Sequence, residues 1–420
     1  MSQAATGGGS AGQGSIESRA SWRAAFMTLA ILSISFGSPL LIVVGMRPMQ
    51  QALGTDRAVV ALAGSLVWIG TGAGGILMGW LADRIGLRLT VAIGACMIAA
   101  GLALSATGSI AALYVGQGLM VGFLGSGGVY PPLLVYVSRW FDRRRGTAIA
   151  LISSGQYIAG MVWPSVFERG LSGFGWQAVM LAYAAVVLIV ILPATLLLRP
   201  APIPAAPPRP AAGTVAPRRR VAGLPPNVAQ ALLCLAGFCC CIPMSVPQGH
   251  LVAFCGDIGI SPARSAAMLS VMLAAAFLAR QAWGALADRI GGLRTILAGS
   301  AFQAVTIACF LTTQDEAGLF AVAAAFGLGF AGIIPAYSVA VRDLFPSSEA
   351  SWRMPLTLFT AMSGMAVGSW FAGLLYDHFG YYAPAFAVGV AFNIANLMII
   401  GFLVGRTGGL RRAVSWPATA

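Results

Sequence analysis

Arg280 is the side chain with the strongest claim to chemistry. It stands inside an otherwise apolar stretch, 263–287, eight positions before Asp288. At ~1.5 Å of helical rise per residue that is about 12 Å from the polar boundary Asp288 marks. An arginine near mid-depth of a bilayer costs about 2.5 kcal/mol or more, so something must compensate it. No Asp or Glu lies at comparable depth in any apolar stretch. A guanidinium matches a carboxylate through two parallel hydrogen bonds, so an anionic ligand is the simplest missing partner. The structural alternative is an arginine that snorkels to water or bonds helix carbonyls. A cation site would need a buried carboxylate, whereas Glu168 and Asp257 fall at the outer ends of apolar stretches, where solvated or capping roles are expected.

Other polar groups could line the same path. His250 follows Pro243 and Pro247, which should interrupt helical regularity and free carbonyls. It reads either as a gate for protons or substrate or as a hydrogen-bonded interface histidine. Tyr130 precedes Pro131–Pro132, Gln156 and Tyr157 are adjacent, and Tyr337 follows Pro335. Their hydroxyls and amides could orient a small carboxylate or serve as interhelical hydrogen bonds. The stretch Gly122 to Gly128 is not followed by Lys-Ser/Thr, so helix packing explains it better than a phosphate loop. No metal-ligand spacing, nucleotide loop or nucleophile–base pair is visible, so neither a cofactor nor an enzyme activity is expected. Six of seven cysteines lie in apolar stretches and read as packing; Cys255 is expected in a short loop.

The elements that must position these groups follow from composition. The chain is 58% hydrophobic and 9% charged, against roughly 25% charged in soluble domains. A bilayer can solvate that surface; a soluble fold cannot hide it. Stretches of about 20 apolar residues can cross the hydrocarbon core. Twelve are expected: 24–46, 58–82, 89–107, 110–138, 147–167, 175–198, 228–250, 263–287, 294–312, 317–341, 353–375 and 383–404. The expected organisation is a disordered tail over 1–22, a six-helix bundle over 23–199, a Pro/Arg-rich linker over 200–226, a second six-helix bundle over 227–405 and a tail over 406–420.

All 25 basic residues are arginines, and the formal net charge is +13. They sit in short loops as topology determinants do, which argues against nucleic-acid binding. With both termini cytoplasmic, twenty arginines fall on the cytoplasmic side and Arg47, Arg57, Arg169 and Arg264 on the other. Residues 79–88 read GWLADRIGLR and residues 284–294 read GALADRIGGLR, 205 positions apart. Two copies of one unit in parallel register imply a carrier whose halves face each other across a central path.

Those repeats carry a family resemblance. Gly79-x-Leu81-Ala82-Asp83-Arg84-x-Gly86-x-Arg88, echoed by Gly284-x-Leu286-Ala287-Asp288-Arg289-x-Gly291, resembles the loop 2–3 motif of the major facilitator superfamily. The resemblance covers about residues 22 to 405 and implies an all-α membrane fold of two pseudo-symmetric six-helix bundles working by alternating access. It also implies a conformational gate at Asp83, Arg84, Arg88, Asp288 and Arg289, on the cytoplasmic side. A narrower resemblance, to the monocarboxylate and oxalate–formate branch, rests on Arg139-Trp140-Phe141-Asp142-Arg143-Arg144-Arg145-Gly146, on His250-Leu251-Val252-Ala253-Phe254 with Asp257-x-Gly259-Ile260, and on Arg280-x-x-x-Gly284. Departures are Ala276, where some monocarboxylate carriers have Asp, the absence of a span-eleven lysine, and Trp163-Pro164 in place of the drug-antiporter Gly-Pro.

The expected protein is therefore a monomeric secondary transporter of the bacterial inner membrane, moving a small organic monoanion with coupling to protons or anion exchange. Its expected site residues are Arg280, Tyr130, Gln156, Tyr157, His250 and Tyr337. The alternatives are an exporter of multidrug or other hydrophobic compounds and a non-transporting membrane sensor.

Overall fold

In the computed structural model, the described residues are 18–141, 144–199 and 221–414. Eleven helices there are long and apolar enough to cross a membrane. They are α1 (Arg19–Leu53), α2 (Arg57–Ile85), α3 (Leu87–Ser105), α4 (Ile110–Ser138), a 51-residue run Thr147–Leu197, α7 (Pro226–Asp257), α8 (Pro262–Ile290), α9 (Gly292–Thr312), α10 (Glu316–Leu344), α11 (Ser347–Phe379) and α12 (Ala383–Val414). The long run is two spans, α5 (147–174) and α6 (176–197), because Gly175 breaks it at φ 79°, ψ 165°. That backbone region is essentially closed to residues with a Cβ, so glycine is what lets the chain turn there. The result is twelve spans among the described residues, arranged as two six-helix bundles.

An even number of crossings returns the chain to the face where it began. That face, bearing Ile85 and Ile290, is called here the terminal face; Asp257 and Tyr382 lie on the opposite face. The helices outrun their apolar cores. α1 starts at Arg19, inside the expected tail, and α12 runs to Val414. α7 continues unbroken through Pro243 and Pro247 to Asp257. His250 is thus seven residues inside the helix rather than at its end, and Cys255 is buried in α7 with its Sγ 3.5 Å from Met268 Sδ, not in a loop. The expected linker falls mostly outside the described residues, as do Asp142 and Arg143; Val221 and Leu224 close a turn just before α7.

The Gly-rich part of α4 is wound as a π-helix over Val115–Ser126. It packs backbone to backbone on α2 and α3: a methyl on Gly74 would stand 1.9 Å from the Phe123 carbonyl oxygen, and one on Gly101 2.5 Å from that of Gly116. The glycines are there to let helices touch, which is the packing role their pattern suggests. Between the halves, α2 lies along α11 and α5 along α8, again through small residues such as Gly373 against Ala58 and Gly160 against Leu273.

Candidate functional site

Arg280 faces the other half. Its guanidinium carbon lies 5.2 Å from the ring centre of Tyr157 on α5, within cation–π range. It is half-buried, none of the ion pairs among the described residues includes it, and its buried Nε has no hydrogen-bond partner there. A cation so placed is held over an aromatic face, and a guanidinium carries donors enough to serve a further acceptor. Tyr157 is itself fixed across the interface. Pro335 has no N–H to offer the carbonyl four residues back, and that carbonyl, Ala331, accepts the Tyr157 hydroxyl at 3.4 Å. The ring also meets Phe330 edge-on, with centroids 6.0 Å apart.

The neighbouring Gln156 lines a cavity of about 60 Å³ between the halves. α1, α2 and α5 form one wall, and α7, α8 and α11 the other. Most of the lining is apolar, including Phe36, Trp68, Leu273 and Met365; the polar members are Gln156, Ser245, Gln248 and Ser369. Tyr130 does not line it but packs edge-on against Phe36, with centroids 5.2 Å apart.

Tyr337 stands apart from this group. It is 1% exposed, and its hydroxyl donates to Asn396 Oδ1 at 3.0 Å, while Asn396 Nδ2 donates to Ser300 Oγ at 2.8 Å. These contacts lie inside the second bundle and make Tyr337 a structural tie between α10, α12 and α9. Tyr337→Phe leaves the buried Asn396 oxygen unpaired, so it is expected to lower stability by about 1–3 kcal/mol, read as a drop in unfolding temperature.

His250 connects the cavity to the opposite face. Its ring is fully buried, with Nε2 2.7 Å from the Ser369 carbonyl oxygen and Nδ1 2.8 Å from the Tyr382 hydroxyl. A carbonyl only accepts, so Nε2 carries the proton, and Nδ1 accepts from Tyr382. The Tyr382 oxygen in turn accepts from Arg57 Nη1 at 3.1 Å. Arg57 is 3% exposed at the start of α2. Its two terminal nitrogens grip the Asp257 carboxylate, its Nε donates to Gln50 at 3.2 Å, and its carbon lies 3.7 Å from the Tyr376 ring centre. Arg47 adds a longer ion pair to Asp257 at 3.5 Å. Asp377, at the end of α11, accepts from the backbone N–H groups of Arg57 (2.9 Å) and Ala58 (2.7 Å). A carboxylate there satisfies orphan donors at the helix start and complements its dipole.

The first half therefore supplies Arg47 and Arg57, the second supplies Asp257, Asp377 and Tyr382, and together they close the opposite face. Asp257 is not a solvated cap, as its position suggested, but the acceptor of a mostly buried inter-half ion pair. Sequence reasoning missed this cluster. The one available signal was an excess of charge at the matching ends of α2, α7 and α11.

The motif residues on the terminal face look different. Asp83 pairs with Arg139 at 3.5 Å, not with Arg84 or Arg88, and both partners are exposed, at 72% and 48%. Arg84 lies over Trp80, 4.0 Å from its ring centre, and Arg88 Nε donates to the Leu198 carbonyl. Asp288 and Arg289 are exposed, with no ion pair among the described residues. In the second repeat it is Asp343 that binds the loop, accepting from Gly292 N–H at 3.0 Å. An exposed pair contributes roughly 0–1 kcal/mol, so Asp83→Asn is expected to move the conformational distribution by no more than about fivefold in spin-label distance measurements.

The family model described as Major Facilitator Superfamily matches residues 25–244 and 233–417. The chain belongs to the major facilitator superfamily. Among curated relatives of this superfamily member, Monocarboxylate transporter 13 of Bos taurus is 27% identical over 321 residues, spanning 75% of this chain and 73% of that one. The Agnestins efflux protein of Paecilomyces divaricatus is 23% identical over 328 residues, spanning 77% and 73%. Among solved structures, an inward-facing, unoccupied bacterial homologue of the human lysosomal transporter Spinster superposes with a TM-score of 0.71 at 15% identity, covering 96% of this chain and 100% of that one. That last likeness establishes the major facilitator fold and nothing about substrate.

Proposed function

We propose that this major facilitator transporter moves a small organic monoanion of the monocarboxylate type by alternating access, with Arg280 as the anion anchor. The observation that carries the reading is an interior guanidinium, stacked on Tyr157 of the opposing half and without a carboxylate partner among the described residues. A ligand carboxylate would complete it, and binding between the halves is what lets one site serve both faces in turn. The printed name of the bovine relative supports the same substrate class. The twenty-to-four arginine bias supports cytoplasmic termini in a cytoplasmic membrane, which makes the closed, opposite face extracellular.

In this reading Arg57, Asp257, Asp377 and Tyr382 form the outer latch. His250 joins the latch to the cavity wall at Ser369, so a change at either end is felt at the other. Coupling to protons or to a counter-anion completes the cycle.

A second reading has its own support: the cavity is mainly apolar and one relative is named as an efflux protein, which favours export of a hydrophobic compound. Uptake of labelled short monocarboxylates into proteoliposomes separates the two. Saturable uptake that depends on Arg280 supports the anion carrier; no uptake, or uptake indifferent to Arg280→Gln, supports the exporter.

A further inference from the structure

Resting on the outer latch but not on the identity of the substrate, we infer that His250 is a proton-binding site set against that latch: its ring is neutral while the opposite face is closed, and a proton arriving from that face holds it open. The decisive atom is the Tyr382 oxygen. The hydroxyl donates to His250 Nδ1 at 2.8 Å and accepts from Arg57 Nη1 at 3.1 Å, and it has no other hydrogen-bond partner among the described residues. His250 Nε2 already gives its hydrogen to the Ser369 carbonyl at 2.7 Å, so a second proton can enter the ring only at Nδ1. An N–H at that position cannot accept. It must donate to the Tyr382 oxygen, and the hydroxyl hydrogen is then displaced with no acceptor to go to, where both side chains are buried from water.

Charge acts in the same direction. A protonated ring is a second cation beside Arg57, and the acids of this face are already committed. Asp257, seven residues further along α7, is gripped by Arg57 and paired with Arg47 of α1. Asp377 of α11 accepts from the N–H groups that start α2, and Tyr376 of α11 gives its ring face to Arg57. At the start of α8, Arg264 is turned to Glu316 of α10, while α9 and α12 bring no charged residue to this face. No carboxylate contacts the imidazole among the described residues.

Opening the face undoes both conflicts. Arg57 belongs to the first half, whereas His250, Ser369 and Tyr382 belong to the second. When the halves part, Arg57 leaves the Tyr382 oxygen, water reaches it, and a protonated ring can donate there. The proton and Arg57 are thus rivals for one oxygen, and whichever holds it sets the face open or closed. The other end of the ring is tied to Ser369, a cavity residue, so the switch stands between the exposed face and the ligand space. With that face extracellular, outside acid keeps the carrier open to the side from which a protonated organic acid arrives.

The test is the distance between spin labels at Gln51 and Ala263, both exposed on the opposite face, in full-length protein reconstituted in lipid without substrate. It is followed between about pH 8 and about pH 5, the range in which an imidazole in water takes up its proton. Where the closed form excludes that proton, linkage lets the open-to-closed ratio rise by up to about thirtyfold as the pH falls across the range. A rise of about tenfold or more is expected in wild type. His250→Gln keeps a donor and an acceptor but takes no proton, and the rise is expected to disappear. The one other histidine, His378, is exposed at the end of α11, and His378→Gln is expected to keep the full response. A wild-type distribution that does not move with pH overturns the proton site, as does a response that survives His250→Gln or vanishes in His378→Gln. Asp257→Asn, measured beside them, keeps the latch separate: distances equal to those of wild type at about pH 8 overturn the latch itself.

Discussion

Arg280→Gln, reconstituted in proteoliposomes, is expected to lose about a hundredfold or more in saturable monocarboxylate uptake, while Arg280→Lys retains an intermediate activity. Hydrogen bonds to charged groups contribute about 1.5–3 kcal/mol each, and a guanidinium can make two to one carboxylate. Lysine keeps the charge but not the planar fork, nor an equal fit over the Tyr157 ring. The protein spends no acidic residue on Arg280 among its described contacts, so neutralising it removes an interaction with ligand and not an internal ion pair. Stability of the unliganded protein should accordingly be little changed, which a thermal unfolding curve would check.

The second large effect belongs to the outer latch. Asp257→Asn leaves Arg57, only 3% exposed, without its carboxylate. Removing one partner of a buried pair costs about 3–5 kcal/mol, because the remaining charge is stranded. Opening the opposite face rehydrates that charge, so the cost falls on the closed conformation alone. The ratio of closed to open molecules is expected to drop by a factor of a hundred or more. Spin labels at the exposed positions Gln51 and Ala263, one in each half on the opposite face, would read this as a shift to longer distances. An unchanged distribution would show that the small-residue contacts of α2 with α11 hold that face without the ion pair. The contrast with the exposed Asp83–Arg139 pair is part of the prediction: the same substitution, Asp to Asn, acts strongly where the partner is buried and weakly where it is not.

Much of the fold is legible in the sequence because a bilayer imposes length and polarity on each crossing. Twelve apolar stretches and the twin Asp-Arg motifs are local signals, whereas the break at Gly175 that ends α5 at 174 instead of 167 appears only in the fold. Arg280 is legible for the same reason: a charge at depth is costly wherever it occurs. Helix ends are less so. α7 continues past His250 because apolar content marks the hydrocarbon core, while the helix itself runs on to the polar end at Asp257. Proline did not interrupt α7, since a helix buried among neighbours keeps its course when a bond or two is lost.

The latch could not be read from local pattern at all. Arg57 and Asp377 meet across 320 positions of sequence, and nothing near either residue announces the other. The same holds for Tyr157 and the Ala331 carbonyl, where the sequence shows Pro335 freeing an acceptor but not which hydroxyl arrives. Tyr337 shows the converse. A tyrosine beside a proline in a path-lining span looks like a site residue, and only the packing of α10 on α12 reveals that its hydroxyl is already taken.

The proposed function rests on Arg280 holding a ligand carboxylate between the two halves. Its most direct measurement is the unfolding temperature of purified wild type and Arg280→Gln with lactate, butyrate and 4-hydroxybutyrate, each beside its uncharged amide. A ligand that binds only the folded protein raises that temperature, by an amount equivalent to about 2.7 kcal/mol at a hundred times Kd. A rise is expected for at least one acid with wild type, none for its amide, and none for either with Arg280→Gln. Equal rises for acid and amide, or for wild type and variant, would contradict it.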